Sequence, residues 1–135
     1  MNSIKAILTG VAFIIIAILV MQLAYLIIIV GINNLAKDYP FLNNISGSIG
    51  YIFTTTTLLA IMFAGGYLTA LIAEKRVLLH CLIIGLIIIS GMMWMALENA
   101  QLTPMGIFVN ALLLIFTLLG GLYQIKNLAK QQEQK

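Results

Sequence analysis

Residues 7–30 read ILTGVAFIIIAILVMQLAYLIIIV, and no charged side chain interrupts them. Coiled as a helix at 1.5 Å per residue, this stretch is about 36 Å long, against about 30 Å of bilayer hydrocarbon. It is too long for the apolar part of a cleaved signal, and no small-x-small cleavage site follows it, so it reads as a retained helix. Ser3 suits an N-cap, and Gly31 with Asn33 and Asn34 suits a stop.

Three more runs of the same kind follow, at about 49–73, 77–97 and 105–125. A barrel strand is about 10 residues of alternating polarity. These runs are continuous, and backbone groups in hydrocarbon must be paired within the segment, so each is expected to be a helix. The expected fold class is therefore all-α: one domain over 1–135, an integral membrane four-helix bundle running up-down-up-down, with a polar tail from about 126. Thr103 and Pro104 suit an N-cap and first helical position for the fourth helix, and Ser46 or Ser48 could cap the second. Pro40 and Pro104 are the only prolines, and both lie outside the runs, so no proline kink is expected.

Composition agrees. Apolar residues make up 62% of the 135-residue chain and charged residues 8%, where a soluble domain carries about 25%. A water-soluble globule of this size could not be coated by so few charges. The lone cysteine, Cys81, excludes an internal disulfide and a multi-cysteine metal site. The net charge of +3 forms no basic stripe interleaved with aromatics, which argues against nucleic acid as a partner.

The cations set the orientation. Lys5, Lys75, Arg76, Lys126, Lys130 and Lys135 lie at the two ends and in the tight second loop, and Lys37 alone lies elsewhere among the 7 cations. Cations stay cytoplasmic, so both termini and the second loop are expected inside. Richness in Ile, Asn and Lys hints at a bacterial source, hence the inner membrane. The first loop, Gly31 to Ser48, then lies outside. Its centre, Tyr39-Pro40-Phe41-Leu42, suits either an interfacial segment or an irregular surface loop. Asn44-Ile45-Ser46 matches the glycosylation sequon but adjoins the second span and reads as a chance match.

Polar side chains inside the runs are the candidate sites. Gln22 in the first run and Asn110 in the fourth read as interhelical hydrogen-bond formers or, alternatively, as contacts for a solute or water. Thr54, Thr55, Thr56 and Thr57 cover every face of one turn near the outer end of the second run. A threonine can return its hydroxyl to the carbonyl one turn earlier, so the run is read mainly as structural, with Thr54 and Thr57 as pocket candidates. Small residues mark close helix contact: Gly65, Gly66 and Ala70 in the second run, and Thr117, Gly120 and Gly121 in the fourth. Lys75, Arg76 and His80 form a cytoplasmic basic collar suited to anionic headgroups. A proton or ligand site built on His80 is the sharper reading. Met92, Met93 and Met95 flank Trp94, but they do not share one helix face, so packing and an interfacial anchor are expected rather than a soft-metal site. Glu98 is the only acid near an outer helix end.

No Asp, Glu, Lys or Arg falls inside a run, whereas proton-coupled exchangers and voltage sensors need such groups at depth. Nucleophile elbows, phosphate loops and zinc-protease motifs are missing from the sequence, so neither enzymatic activity nor a cofactor or metal is expected.

The central hairpin carries a resemblance. Gly65-Gly66-Tyr67, Thr69-Ala70, Ile72-Ala73, the basic Lys75-Arg76, His80 and Gly85 resemble the pattern of the YrzE-like group of small bacterial four-helix membrane proteins. The resemblance covers the central hairpin alone. It implies a four-helix fold and no established activity. The functional expectation is a non-enzymatic accessory or assembly subunit whose partners are membrane lipids and another membrane protein or further copies of itself. The alternative is an oligomeric small transporter or channel for an uncharged or weakly polar solute, with Gln22, the threonine run and Asn110 along its path.

Overall fold

The structure is a computed structural model and describes residues 2–39, 41–73, 76–99 and 103–133. Four helices account for nearly all of these: α1 (Asn2–Leu35), α2 (Phe41–Ile72), α3 (Val77–Glu98) and α4 (Pro104–Glu133). There is no strand among the described residues. Each helix is long and apolar enough to cross a membrane. Large aliphatic side chains cover the outside, as lipid-facing helices require, since a hydrocarbon solvent removes any penalty for exposing them.

The helices outrun the apolar stretches. Most of the expected first loop, Gly31 to Ser48, is helical: α1 continues to Leu35 and α2 begins at Phe41. The tail expected from about 126 continues α4 to Glu133. Hydropathy marks where a chain is greasy, not where it is helical. Polar residues beyond the hydrocarbon extend a helix freely when they are good helix formers, as in Lys126–Glu133. The sequon asparagine and Ser46 carry side chains outside the described set, as does the last part of the tail, and Pro40 lies outside the described residues altogether.

Around the bundle the contacts run α1–α2–α4–α3 and back to α1, with a further contact across the middle between α2 and α3. Among the described residues α1 and α4 do not meet. The core consists of Ile14 from α1, Leu58 and Met62 from α2, Ile84 and Ile88 from α3, and Leu113 from α4. Glycines set how closely the helices approach. The Ile14 side chain occupies the space beside Gly65, and Thr69 and Ile84 close on Gly10. The closest approach joins α2 to α4: a Cβ on Gly66 would collide with the Thr117 carbonyl, and one on Gly120 with the Phe63 carbonyl. Two backbones touch there, which only residues without side chains allow. Phe63 and Tyr67 flank Tyr123 beside this crossing, with ring centroids 6.1 and 6.3 Å apart.

Between α2 and α3 the chain reverses through Arg76, which holds left-handed backbone angles of φ 53° and ψ 41° and offers no side-chain cap to α3. The start of α4 is capped as its sequence implies: the Gly106 amide donates to Thr103 Oγ1 at 3.1 Å.

Candidate functional site: two clefts at one end of the bundle

The packing glycines Gly10, Gly65, Gly66, Gly85, Gly120 and Gly121 share one half of the bundle, and that half is closed. Here Gly65, Gly66, Ala70, Gly120 and Gly121 are all buried where helices cross. Cys81 is buried against Gly121, and its thiol donates to the Gly66 carbonyl at 3.4 Å. Thr69 and Thr117 are fully buried and return their hydroxyls to Gly65 and Leu113, at 2.7 and 2.8 Å. The back-bond expected of the threonine run is thus made by these two residues and by Ser90, which donates to Leu86.

The other half is splayed, and most of the polar candidates gather there. A cleft of about 430 Å³ between α1 and α2 is lined by Gln22, Tyr25, Tyr51 and Thr54. Gly47 and Gly50 form its floor on α2, with the Tyr25 ring lying over Gly50. A second cleft, of about 500 Å³, opens between α2, α3 and α4; Thr55 and Asn110 supply its polar groups, and Met92 and Met105 its thioethers. Tyr51 borders both. Gln22 and Asn110 therefore lie on different sides of α2 rather than on one path. Neither amide is hydrogen-bonded to another described residue, although Gln22 is exposed and Asn110 half-buried. Thr56 and Thr57 face a shallow groove on the outer surface of α2, beside Ile52 and Phe53.

Each helix contributes for a local reason. The threonines occupy successive positions, so a 100° step per residue sends Thr54 to one cleft and Thr55 to the other. Asn110 lies within two turns of the Thr103 cap, near the open mouth of the second cleft.

The collar residues separate. Arg76 is exposed, while His80 is buried with its Nδ1 2.9 Å from the Arg76 carbonyl oxygen. Lys75 lies outside the described residues. Met92 and Met93 are half-buried and Met95 exposed, and Trp94 Nε1 donates to Glu98 Oε1 at 2.9 Å. Among the described residues, no three metal-ligating side chains come together.

One residue was missed. Gln124 is 3% exposed, and its Oε1 is buried without a hydrogen-bond partner among the described residues. Its spacing gives it away: it falls seven positions after Thr117 and three after Gly121, on the face of α4 that packs inward. Its neighbour Lys126 makes it look like the beginning of the polar tail.

Comparison with known proteins finds no family model, no curated protein and no solved structure that matches this chain.

Proposed function

We propose that this chain is a multi-pass protein of the bacterial inner membrane that serves as a non-enzymatic accessory or assembly subunit, bound to another membrane protein or to further copies of itself. The observation that carries this reading is the pair of clefts. Gln22 and Asn110 present amides in the apolar helices with no partner among the described residues. An amide left unpaired in hydrocarbon is unfavourable, whereas a neighbouring helix that pairs with it contributes about 1 kcal/mol. The same chain satisfies its buried threonines internally. Amides in open clefts with no partner among the described residues are therefore read as groups held for a partner.

The proposed topology is up-down-up-down, with both termini and the α2–α3 turn cytoplasmic. Support comes from the residue pairs that meet: Tyr25 with Gly50 and Ile14 with Gly65 for α1 and α2, and Gly85 with Thr117 and Cys81 with Gly121 for α3 and α4. In both pairs one number rises as the other falls. Lys5, Arg76 and Lys126 then share one end, which the positive-inside rule puts in the cytoplasm. The resemblance to YrzE-like proteins rests on residues that pack in this fold, Gly65, Gly66, Ala70 and Gly85 among them.

Affinity purification of the tagged full-length chain from native membranes in mild detergent tests the role. A membrane protein, or a second copy, recovered in constant proportion is expected. A strictly monomeric chain with nothing bound would end it. The transporter reading has less support, because Gln22 and Asn110 line separate clefts and close glycine contacts fill the other half of the bundle. It requires solute flux in liposomes that alanine at both amides abolishes.

A further inference from the structure

Two observations on α1 narrow the choice of partner, given the reading of the chain as an interaction subunit. The first is length. Lys5, Arg76 and Lys126 mark one end of the bundle. Tyr25 and Tyr51 share the first cleft, and Tyr51 shares the second with Met92 and Ala96, which bracket Trp94, so these three aromatics lie at one level. Cations and amphipathic aromatic rings are the side chains that mark membrane boundaries. Along α1 from Lys5 to Tyr25 the rise is about 30 Å, and along α3 from Arg76 to Trp94 about 27 Å, close to the thickness of the hydrocarbon. Yet α1 stays apolar from Tyr25 to Ile32, about 10 Å further, and turns polar only at Asn33 and Asn34 before it ends at Leu35. Leu26, Ile27, Val30 and Leu35 there are each more than half exposed. α3 ends at Glu98, one turn past Trp94. The tip of the α1–α2 hairpin thus stands above its neighbours with apolar surface beyond the hydrocarbon, where water makes such a patch unfavourable.

The second observation is Gln22. Alternating steps of four and three residues from Leu8 reach Ala12, Ile15, Leu19, Gln22, Leu26, Ile29 and Asn33, the spacing of a coiled-coil seam. All eight but the half-buried Ile29 are exposed, to one side of the core-facing line through Gly10, Ile14 and Met21. Gln22 is the only polar residue of the eight below the level of Tyr25. A primary amide carries both donor and acceptor, so two copies of it related by a two-fold axis satisfy each other. Lipid, or an unrelated apolar helix, leaves it unpaired.

We propose that a second copy of this chain lays its α1 in parallel against this seam, pairing Gln22 with Gln22 and covering the apolar tip from Leu26 to Ile32. In hydrocarbon the pair is held by packing and the amide bond, and beyond it by the hydrophobic effect.

Cysteine cross-linking of the full-length chain in native membranes tests this. Cys81 is fully buried and stays in place. Leu26→Cys and Asn33→Cys are placed on the seam; Val20→Cys and Ile27→Cys are exposed controls about a third of a turn away around α1. Oxidation should yield covalent dimers from the seam positions and few from the controls. Adding Gln22→Leu to Leu26→Cys should lower the yield roughly five-fold, the size of one interhelical hydrogen bond, while Gln22→Asn keeps most of it. Equal cross-linking from seam and control positions, or indifference to Gln22→Leu, overturns the proposal. If no position cross-links while a different membrane protein co-purifies, the second copy is wrong and the assembly role stands. If neither occurs, both fall.

Discussion

Gly66 and Gly91 are both glycines within apolar helices, and they should respond to alanine in opposite ways. A methyl on Gly66 has nowhere to go, because the obstacle is the Thr117 carbonyl, a backbone atom that cannot swing aside. Gly66→Ala should therefore destabilise the bundle by about 2 kcal/mol or more. Gly91 has nothing within 4 Å of the same methyl, so Gly91→Ala should stabilise by up to about 1 kcal/mol through helix propensity alone. Reversible unfolding in mixed micelles, followed by circular dichroism, separates the two; similar effects would contradict the α2–α4 crossing described above. Gln124 supplies a second test. A buried carbonyl oxygen with no partner among the described residues is a cost to folding, and methionine fills nearly the same volume without it. Gln124→Met should be neutral or raise stability by about 1 kcal/mol. A clear loss of stability would mean that the oxygen is engaged in the folded protein.

The start of α4 was legible because its signal is chemical and local. Thr103 and Pro104 can be read as a cap without knowing anything else about the fold, and Thr103 Oγ1 does accept the Gly106 amide. Thr103→Ala should cost about 1 kcal/mol in the same unfolding measurement, and Thr103→Ser much less. The start of α3 carries no such signal. Its chain reverses at Arg76, in a backbone region that is strained by roughly 1–2 kcal/mol for a residue with a Cβ. Nothing in Glu74-Lys75-Arg76 announces a left-handed residue, since glycine or asparagine usually does so. Arg76→Gly should relieve that strain and raise stability by about 1 kcal/mol, though it removes a cation from the turn proposed to be cytoplasmic. No gain in stability would argue that the left-handed turn is not occupied. The ends of α1 and α2 were misjudged for a different reason. Their limits were drawn where Gly31, Asn33 and Ser48 look like stops, but a helix that leaves hydrocarbon can continue through such residues while it is paired with a neighbour. Ala36, just past α1, is buried, and Tyr25 still packs on Gly50 near the far end of α2.

Four apolar runs make the number of spans readable from the chain alone, but not which helices touch. That choice depends on where small side chains coincide in space, a property of pairs of helices rather than of any one. Gly66 and Gly120 lie far apart in sequence, and only their meeting brings α2 against α4, leaving α1 and α4 apart. The same pairing explains why the polar candidates gathered as they did. Where glycines allow backbones to touch, no room remains for amides. Toward the other end tyrosines and threonines hold the helices apart, and Gln22, Thr54, Thr55 and Asn110 line the gaps. The molecule is therefore closed at one end and splayed at the other, and its local stability should follow that gradient. Backbone amides exchange with solvent through local opening, which is rarer where packing is denser. In nanodiscs, hydrogen exchange at residues 63–72 of α2 and 117–124 of α4 should be slower than at residues 51–57 and 105–110 of the same helices. The bilayer by itself also slows exchange at the deeper segment, since residues 51–57 begin at the level of Tyr51 whereas residues 63–72 lie further from Arg76, so the part of the difference that depends on the Gly66 contact is the decisive one. Uniform protection along both helices would mean that the glycine crossing does not govern how the bundle opens. If Gly66→Ala also erased the difference, the gradient would be traced to that one contact between backbones.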